Sequence, residues 1–187
     1  MRSAHWRERC QVFKNAENIP DNPVVFLGDS LTEQFPMSAF YPGAPIVNQG
    51  INGDHIDGVL ERLALCNALH PQAIRLMIGI NDLFDDRSPA YMEKNYRALF
   101  NALKEKPLIV YSLLPVGRSW HQTYDTAIRD TNRLLQHLVG EYGFIWQDLY
   151  TPFRDALNSG AELFREDDIH LTRAAYALWA RETPINK

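Results

Sequence analysis

Val24-Val25-Phe26-Leu27-Gly28-Asp29-Ser30-Leu31 is the stretch whose reading decides the fold. Four apolar residues, two of them β-branched, stop at a glycine, the pattern of a short buried strand. The polar pair Asp29-Ser30 follows at once, and the chain then turns apolar again. The strand is therefore expected to run straight into a turn and a helix, with Ser30 at the junction.

Working outward, the same alternation repeats. Ile46-Val47 reads as a brief second strand ending near Gly50, residues 74–78 as a third ending at Gly79, and residues 108–114 as a fourth stopped by Pro115. Phe144-Ile145-Trp146 reads as a fifth. Helical spacing fills the gaps. Ile56, Val59, Leu60 and Leu63 share one face, as do Met92, Tyr96, Leu99, Phe100 and Leu103. The second of these helices has Ser88 as its N-cap and Pro89 at its first position. Ile128, Leu135, Leu138, Val139 and Tyr142 mark another, ended by Gly140 or Gly143, and a last helix spans about 171–181. Residues 1–22 read as a polar lead-in that wraps the domain. Strands alternating with helices require crossovers and hence a parallel sheet. The expectation is one domain over 1–187, an α/β protein built as a three-layer α/β/α sandwich with about five parallel strands. Ligands of such sheets bind outside the carboxyl ends of the strands.

Composition narrows the function. A net charge of −4 lacks the basic balance of a nucleic-acid partner. No run approaches the ~20 apolar residues of a membrane span. The N-terminal MRSAHWRERC has no apolar core of a secretory signal, so a cytoplasmic location is expected. Cys10 and Cys66 belong to no CxxC pair and read as free thiols. There is no HxH, HExxH or Cys/His cluster, so neither metal nor cofactor is expected.

Candidate chemistry falls just after the strands. Ser30 stands where a hydroxyl is exposed and a backbone N–H lies at a helix N-terminus, which favours negative charge. Serine is a weak nucleophile without a base. Asp167-Asp168-Ile169-His170 supplies one: Asp167, three residues before His170, can fold back onto the imidazole and leave its other nitrogen free, whereas the spacing of Asp168 suits that role less well. Gly50 offers an unshielded backbone N–H and Asn81 a side-chain amide for an oxyanion. Each motif alone is equally a turn or helix cap. Asp29 is expected to cap the turn behind Ser30, and Asp54 and Asp82 to brace the neighbouring loops. His5, His55, His70 and His137 are expected at the surface or at helix ends. Arg118, Trp120 and His121 are placed in a loop after the fourth strand, as candidate substrate contacts.

Taken together, GDSLTE at 28–33, NQGINGD at 48–54, GIND at 79–82 and DDIHLT at 167–172 resemble, in order, the four blocks of the SGNH (GDSL) hydrolase superfamily. The likeness is nearest to its platelet-activating-factor-acetylhydrolase-like group. It implies a flavodoxin-like fold, a Ser30–His170–Asp167 triad, and an oxyanion hole from the N–H groups of Ser30 and Gly50 and the Asn81 amide. There is no GxSxG elbow, so the chain does not resemble an α/β-hydrolase. The expected activity is hydrolysis of short-acyl or acetyl carboxylic esters of small molecules through an acyl-serine. Acyl transfer to an alcohol or sugar would use the same residues. A binding module that retains the fold without activity fits the intact residue set less well. A homo-oligomer is compatible with the sequence, and nothing in it calls for a nucleic-acid partner.

Overall fold

A computed structural model describes residues 2–185. In chain order the elements are α1 (Ala4–Lys14), β1 (Val24–Gly28), α2 (Ser30–Glu33), α3 (Met37–Phe40), β2 (Ile46–Gly50), α4 (Ile56–Glu61), α5 (Leu63–Asn67) and β3 (Ala73–Met77). They continue with α6 (Ile80–Phe84), α7 (Pro89–Leu103), β4 (Leu108–Tyr111), α8 (Arg118–Tyr142), β5 (Ile145–Gln147), α9 (Tyr150–Asn158) and α10 (Arg173–Glu182). The five strands form one parallel sheet in the order β2-β1-β3-β4-β5, the flavodoxin-like order, with helices on both faces. The order reverses between β1 and β3. Ser30 follows the first of these strands and Asn81 the second, so both lie at the switch point where such sheets bind ligands.

The residues that build the sheet are those the apolar runs mark. Every residue of β1 is buried, as befits a central strand of a parallel sheet covered on both sides. Phe26 meets Phe35, Tyr41 and Tyr111 on one face. Trp179 of α10, fully buried, packs against Phe35, Tyr111 and Tyr176 there. Ser88 caps α7 by accepting from the Tyr91 N–H, with Pro89 at the first helical position. Gly143, left-handed at φ +70°, ends α8, and Gly140 lies within the helix.

The structure corrects the sequence reading in five places. The lead-in contains a helix, α1, capped by Ser3. The helix expected from Ile56 to Leu63 is two short ones, α4 and α5, broken at Arg62, whose side chain turns inward to Asp54 and the Gly28 carbonyl. β4 ends at Tyr111 instead of running to residue 114, because both backbone groups of Leu113 pair with the Asn132 side chain and not with a strand. Arg118, Trp120 and His121 lie in the first turn of α8, not in a loop. Residues 150–158 form α9, a helix beyond those expected, with Tyr150, Phe153 and Leu157 at helical spacing.

Gly50 shows how tightly the sheet meets α2. A Cβ at that position would stand 2.1 Å from the Glu33 nitrogen and 2.6 Å from its Cα. Both are backbone atoms and cannot swing aside. Gly50→Ala is therefore expected to lower stability by about 1–3 kcal/mol or more, as overpacking does. Denaturant unfolding of the variant checks this, and an unchanged midpoint would contradict the packing described.

Candidate active site

Ser30 is the first residue of α2 and only 5% exposed. Asp29 caps that helix: its Oδ1 accepts the Leu31 N–H at 3.0 Å, as expected from the sequence. The Ser30 N–H belongs to the first turn, where no intrahelical partner exists, and makes no hydrogen bond among the described residues. A free donor thus sits on the same residue as the hydroxyl.

His170 is held by a closed loop. Arg165 donates its N–H to the His170 carbonyl and its Nε to the Leu171 carbonyl, and Phe164 bridges Leu171 in antiparallel fashion. Within this loop Asp167 folds back as its spacing suggests. Oδ1 accepts the N–H groups of Ile169 and His170, at 2.9 and 2.8 Å, and Oδ2 lies 2.6 Å from His170 Nδ1. Partial burial works against the charge on Asp167. The His170 ring and the two backbone donors outweigh it and hold the carboxyl at about 2. An ionised carboxylate only accepts, so Nδ1 carries a hydrogen, and in the neutral imidazole Nε2 keeps its lone pair. Nε2 is covered and has no hydrogen-bond partner among the described residues, Ser30 included. Catalytic hydrogen bonds are often unformed without substrate.

Asp168 turns the other way. At φ +59° it accepts both the N–H and the hydroxyl of Ser119, and its carbonyl accepts the Gly117 N–H. It ties the histidine loop to the start of α8. Trp120, 39% exposed, donates its indole N–H to the Asp167 carbonyl and packs at a tilt against Phe84 and Tyr124. His121 turns to Asp125 and Arg154, and Arg118 is exposed beside them. Of the three residues proposed to touch substrate, Trp120 alone bonds directly to the Asp167–His170 segment.

The donors opposite Ser30 are arranged differently from the sequence reading. Gly50 is corrected: its N–H donates to Asn48 Oδ1 at 2.8 Å and is not available to an oxyanion. Its lack of a side chain serves the contact with α2. Three residues further on, Gly53 is exposed at φ +72°, and its N–H has no partner among the described residues. Asn81 Nδ2 donates to the Asp54 carbonyl at 2.9 Å, which leaves its second hydrogen free and sets the amide beside Gly53-Asp54. Asp54 and Asp82 brace this loop as expected. Asp54 accepts from Trp6, His55 and Arg62, and Asp82 from the Ile56 N–H. Trp6 and Arg62 were not singled out by sequence motif. Arg62, buried and charged in an otherwise apolar helix pattern, is the one with a local signal.

Away from the site, His5 and His55 pair with Glu33 and Asp85, and His137 with Glu141. Cys10 and Cys66 are both free. Among the described residues no three His, Cys, Asp or Glu side chains cluster so as to hold a metal, and no helix is long and apolar enough to cross a membrane.

Asp29 is fully buried, and one of its oxygens has no partner. Burial pushes its carboxyl up to about 7, against the Leu31 N–H, and Asp54 and Asp82 add to the rise. An acid whose folded pKa exceeds the unfolded value near 3.8 leaves stability intact below that value. Stability then falls as pH rises from 3.8 through about 7. Asp29→Asn keeps the acceptor for Leu31 and removes the charge. It is expected to be more stable than wild type at pH 8 by about 1–4 kcal/mol, the gain vanishing near pH 4. Urea unfolding of both proteins across that range tests this, and a pH-independent difference would contradict it.

A model of the GDSL-like lipase/acylhydrolase family matches residues 26–178. No curated protein sequence matches the chain. Solved structures share the fold. A GDSL-like lipase from Bacteroides thetaiotaomicron is 19% identical with a TM-score of 0.78, covering 95% of this chain and 94% of that one. A member of the lipolytic G-D-S-L family from Veillonella parvula is 21% identical with a TM-score of 0.74, covering 86% and 94%. The acetylxylan esterase Axe2 from Geobacillus stearothermophilus is 20% identical with a TM-score of 0.70, covering 89% and 94%. With its fold, its ordered motifs and a family match from the first strand to the last helix, the chain belongs to the GDSL-like lipase/acylhydrolase family.

Proposed function

We propose that this hydrolase is a serine esterase acting on short-acyl esters through an acyl-serine. The observation that carries the reading is the Asp167–His170 pair, 2.6 Å apart, which orients the imidazole with Nε2 covered and free of any partner among the described residues. In this reading Ser30 Oγ attacks the ester carbonyl carbon and its proton passes to Nε2. The carbonyl oxygen becomes an oxyanion, held by the N–H of Ser30, the N–H of Gly53 in place of Gly50, and the free Asn81 amide hydrogen. Collapse expels the alcohol, which takes the proton from His170. Water repeats the sequence and releases the acid. Asp167 stays ionised throughout and stabilises the imidazolium.

The short-acyl preference rests on the short connections that carry Ser30 and Asn81. β1 passes into α2 through Asp29 alone, and β3 passes into α6 through Ile78 and Gly79, so neither connection has chain to spare for a lid. Methylenes left in water gain none of the ~0.8 kcal/mol that burial of each supplies. One structural neighbour bears the name acetylxylan esterase, which accords with an acetyl group on a polar alcohol.

Hydrolysis of p-nitrophenyl esters graded from acetyl to palmitoyl tests the reading. The acetyl to butyryl esters are expected to give the highest kcat/KM, and Ser30→Ala to lower kcat by about 10³–10⁶-fold. Activity retained in Ser30→Ala would remove the mechanism, and a steady climb toward palmitoyl the chain-length preference. Asn81→Ala should cost roughly 10²–10³ in kcat with a smaller change in KM, because its hydrogen bond strengthens as charge develops on oxygen. A variant altered in KM alone would make Asn81 a substrate-binding residue only.

A further inference from the structure

Helix α1 lies outside residues 26–178, the extent of the family match, and buries a single apolar side chain, Phe13. Its polar side chains nonetheless converge on the loop that offers Gly53. Trp6 donates its indole N–H to Asp54 Oδ1 at 3.0 Å. Asp54 is fully buried. The same oxygen accepts the His55 N–H, and the other accepts Arg62 Nε at 2.8 Å. Arg62 in turn donates to the carbonyl of Gly28, two residues before Ser30. A continuous chain of hydrogen bonds thus runs from α1 through the donor loop to the strand that ends at the nucleophile.

A second chain runs in parallel. Glu33, on α2 with Ser30, accepts the Asn52 N–H and pairs with Arg9 Nε at 3.2 Å. Arg9 also reaches the Gly50 carbonyl, at 3.5 Å. Arg2 pairs with Asp57 and Glu61 at the far side of the loop. Residues 50–57 are therefore held near one end by Arg9 of α1, at the other by Arg2 just before that helix, and fastened to α2 through Glu33. Without α1, Asp54 loses one of its three hydrogen bonds, and Glu33, the carboxylate that fixes Asn52, loses its guanidinium partner.

We propose that α1 is a clamp on the oxyanion loop, with Trp6 and Arg9 as positioning residues that set Gly53 and the Asn81 amide against Ser30. This rests on the esterase reading for its catalytic consequence, and on the hydrogen bonds alone for its mechanical one. Neither residue bonds Ser30, Asn81 or His170 directly. Their effect passes through Asp54, whose carbonyl holds Asn81, and through Glu33.

Trp6→Phe keeps an aromatic ring, though a smaller one, and removes the N–H donor. In the full-length protein, amide hydrogen exchange at Asn52, His55 and Ile56 is expected to speed up about tenfold, as loss of one hydrogen bond to a charged group allows. Global unfolding should hold near wild type. With p-nitrophenyl acetate, kcat should fall about tenfold with KM within about twofold. Affinity for a trifluoromethyl ketone, which mimics the tetrahedral intermediate, should fall by the same factor as kcat. Arg9→Met should act likewise, and Arg9→Lys, which restores the charge beside Glu33, should recover part of the loss. Unchanged exchange at 52–56 together with unchanged kcat would overturn the clamp. So would a loss of activity that follows global unfolding with no local change in exchange. If the wild-type protein cleaves no ester, the functional reading fails, and faster exchange in Trp6→Phe still establishes the clamp.

Discussion

The buried ion pair between Asp54 and Arg62 is the contact on which the arrangement of the site depends. Both side chains are withdrawn from water, with side-chain exposures of 0% and 1%. Burial pushes the Asp54 carboxyl upward, and Arg62 pulls the other way. Removing either partner would strand a charge in the interior, the costly way to break such a pair. The pair's geometry has consequences on three elements. It draws Arg62 out of helical register, so that α4 and α5 are separate helices. It anchors the donor loop at the residue whose carbonyl holds Asn81. Through the Arg62 bond to Gly28, it fixes that loop against the end of β1.

Around this pair the site is assembled from strand ends that are far apart in sequence. Parallel pairing brings Gly28 beside both Gly50 and Met77, so three loops leave the sheet at one level. Ser30 and Asn81 sit on helices that begin within three residues of their strands, which gives them little freedom. The histidine loop has no strand of its own. It is held instead by the Phe164–Leu171 bridge, by Asp168 on the first turn of α8, and by Tyr176, whose hydroxyl donates to the Leu31 carbonyl. His170 is thus located by α8 and α10 relative to the helix that carries Ser30. Buried Asp29, raised to about 7, and Asp82, raised to about 6, lie under these loops, so the site's foundation carries unfavourable charge as well as favourable hydrogen bonds. Strain of this kind is commonly concentrated where function requires polar groups in the interior.

By itself the sequence determined what depends on near neighbours. The apolar runs ending at Gly28 and Gly79 place two strands and the turns after them, because burial on both faces demands continuous apolar residues. The three-residue spacing of Asp167 and His170 is enough to bring carboxylate to imidazole, since both lie in one loop. Ser88-Pro89 and Gly143 mark their helix ends through local backbone chemistry. Tertiary structure decided what depends on residues far along the chain. The loop at 48–54 contains two glycines, and only the Thr32 and Glu33 carbonyls of α2, which hold the Asn48 amide, show that Asn48 takes the N–H of Gly50 and leaves that of Gly53 free. Trp6 lies 48 residues from the carboxylate it serves, and α1 has too few apolar positions to announce a helix. The role of Trp120 was equally hidden, because its partner is a backbone carbonyl 47 residues away. A hydrogen-bond donor carries no sign in sequence of which acceptor the fold will bring to it. The pairing of Asp167 with His170 was therefore legible in the chain, while the framework around it exists only in three dimensions.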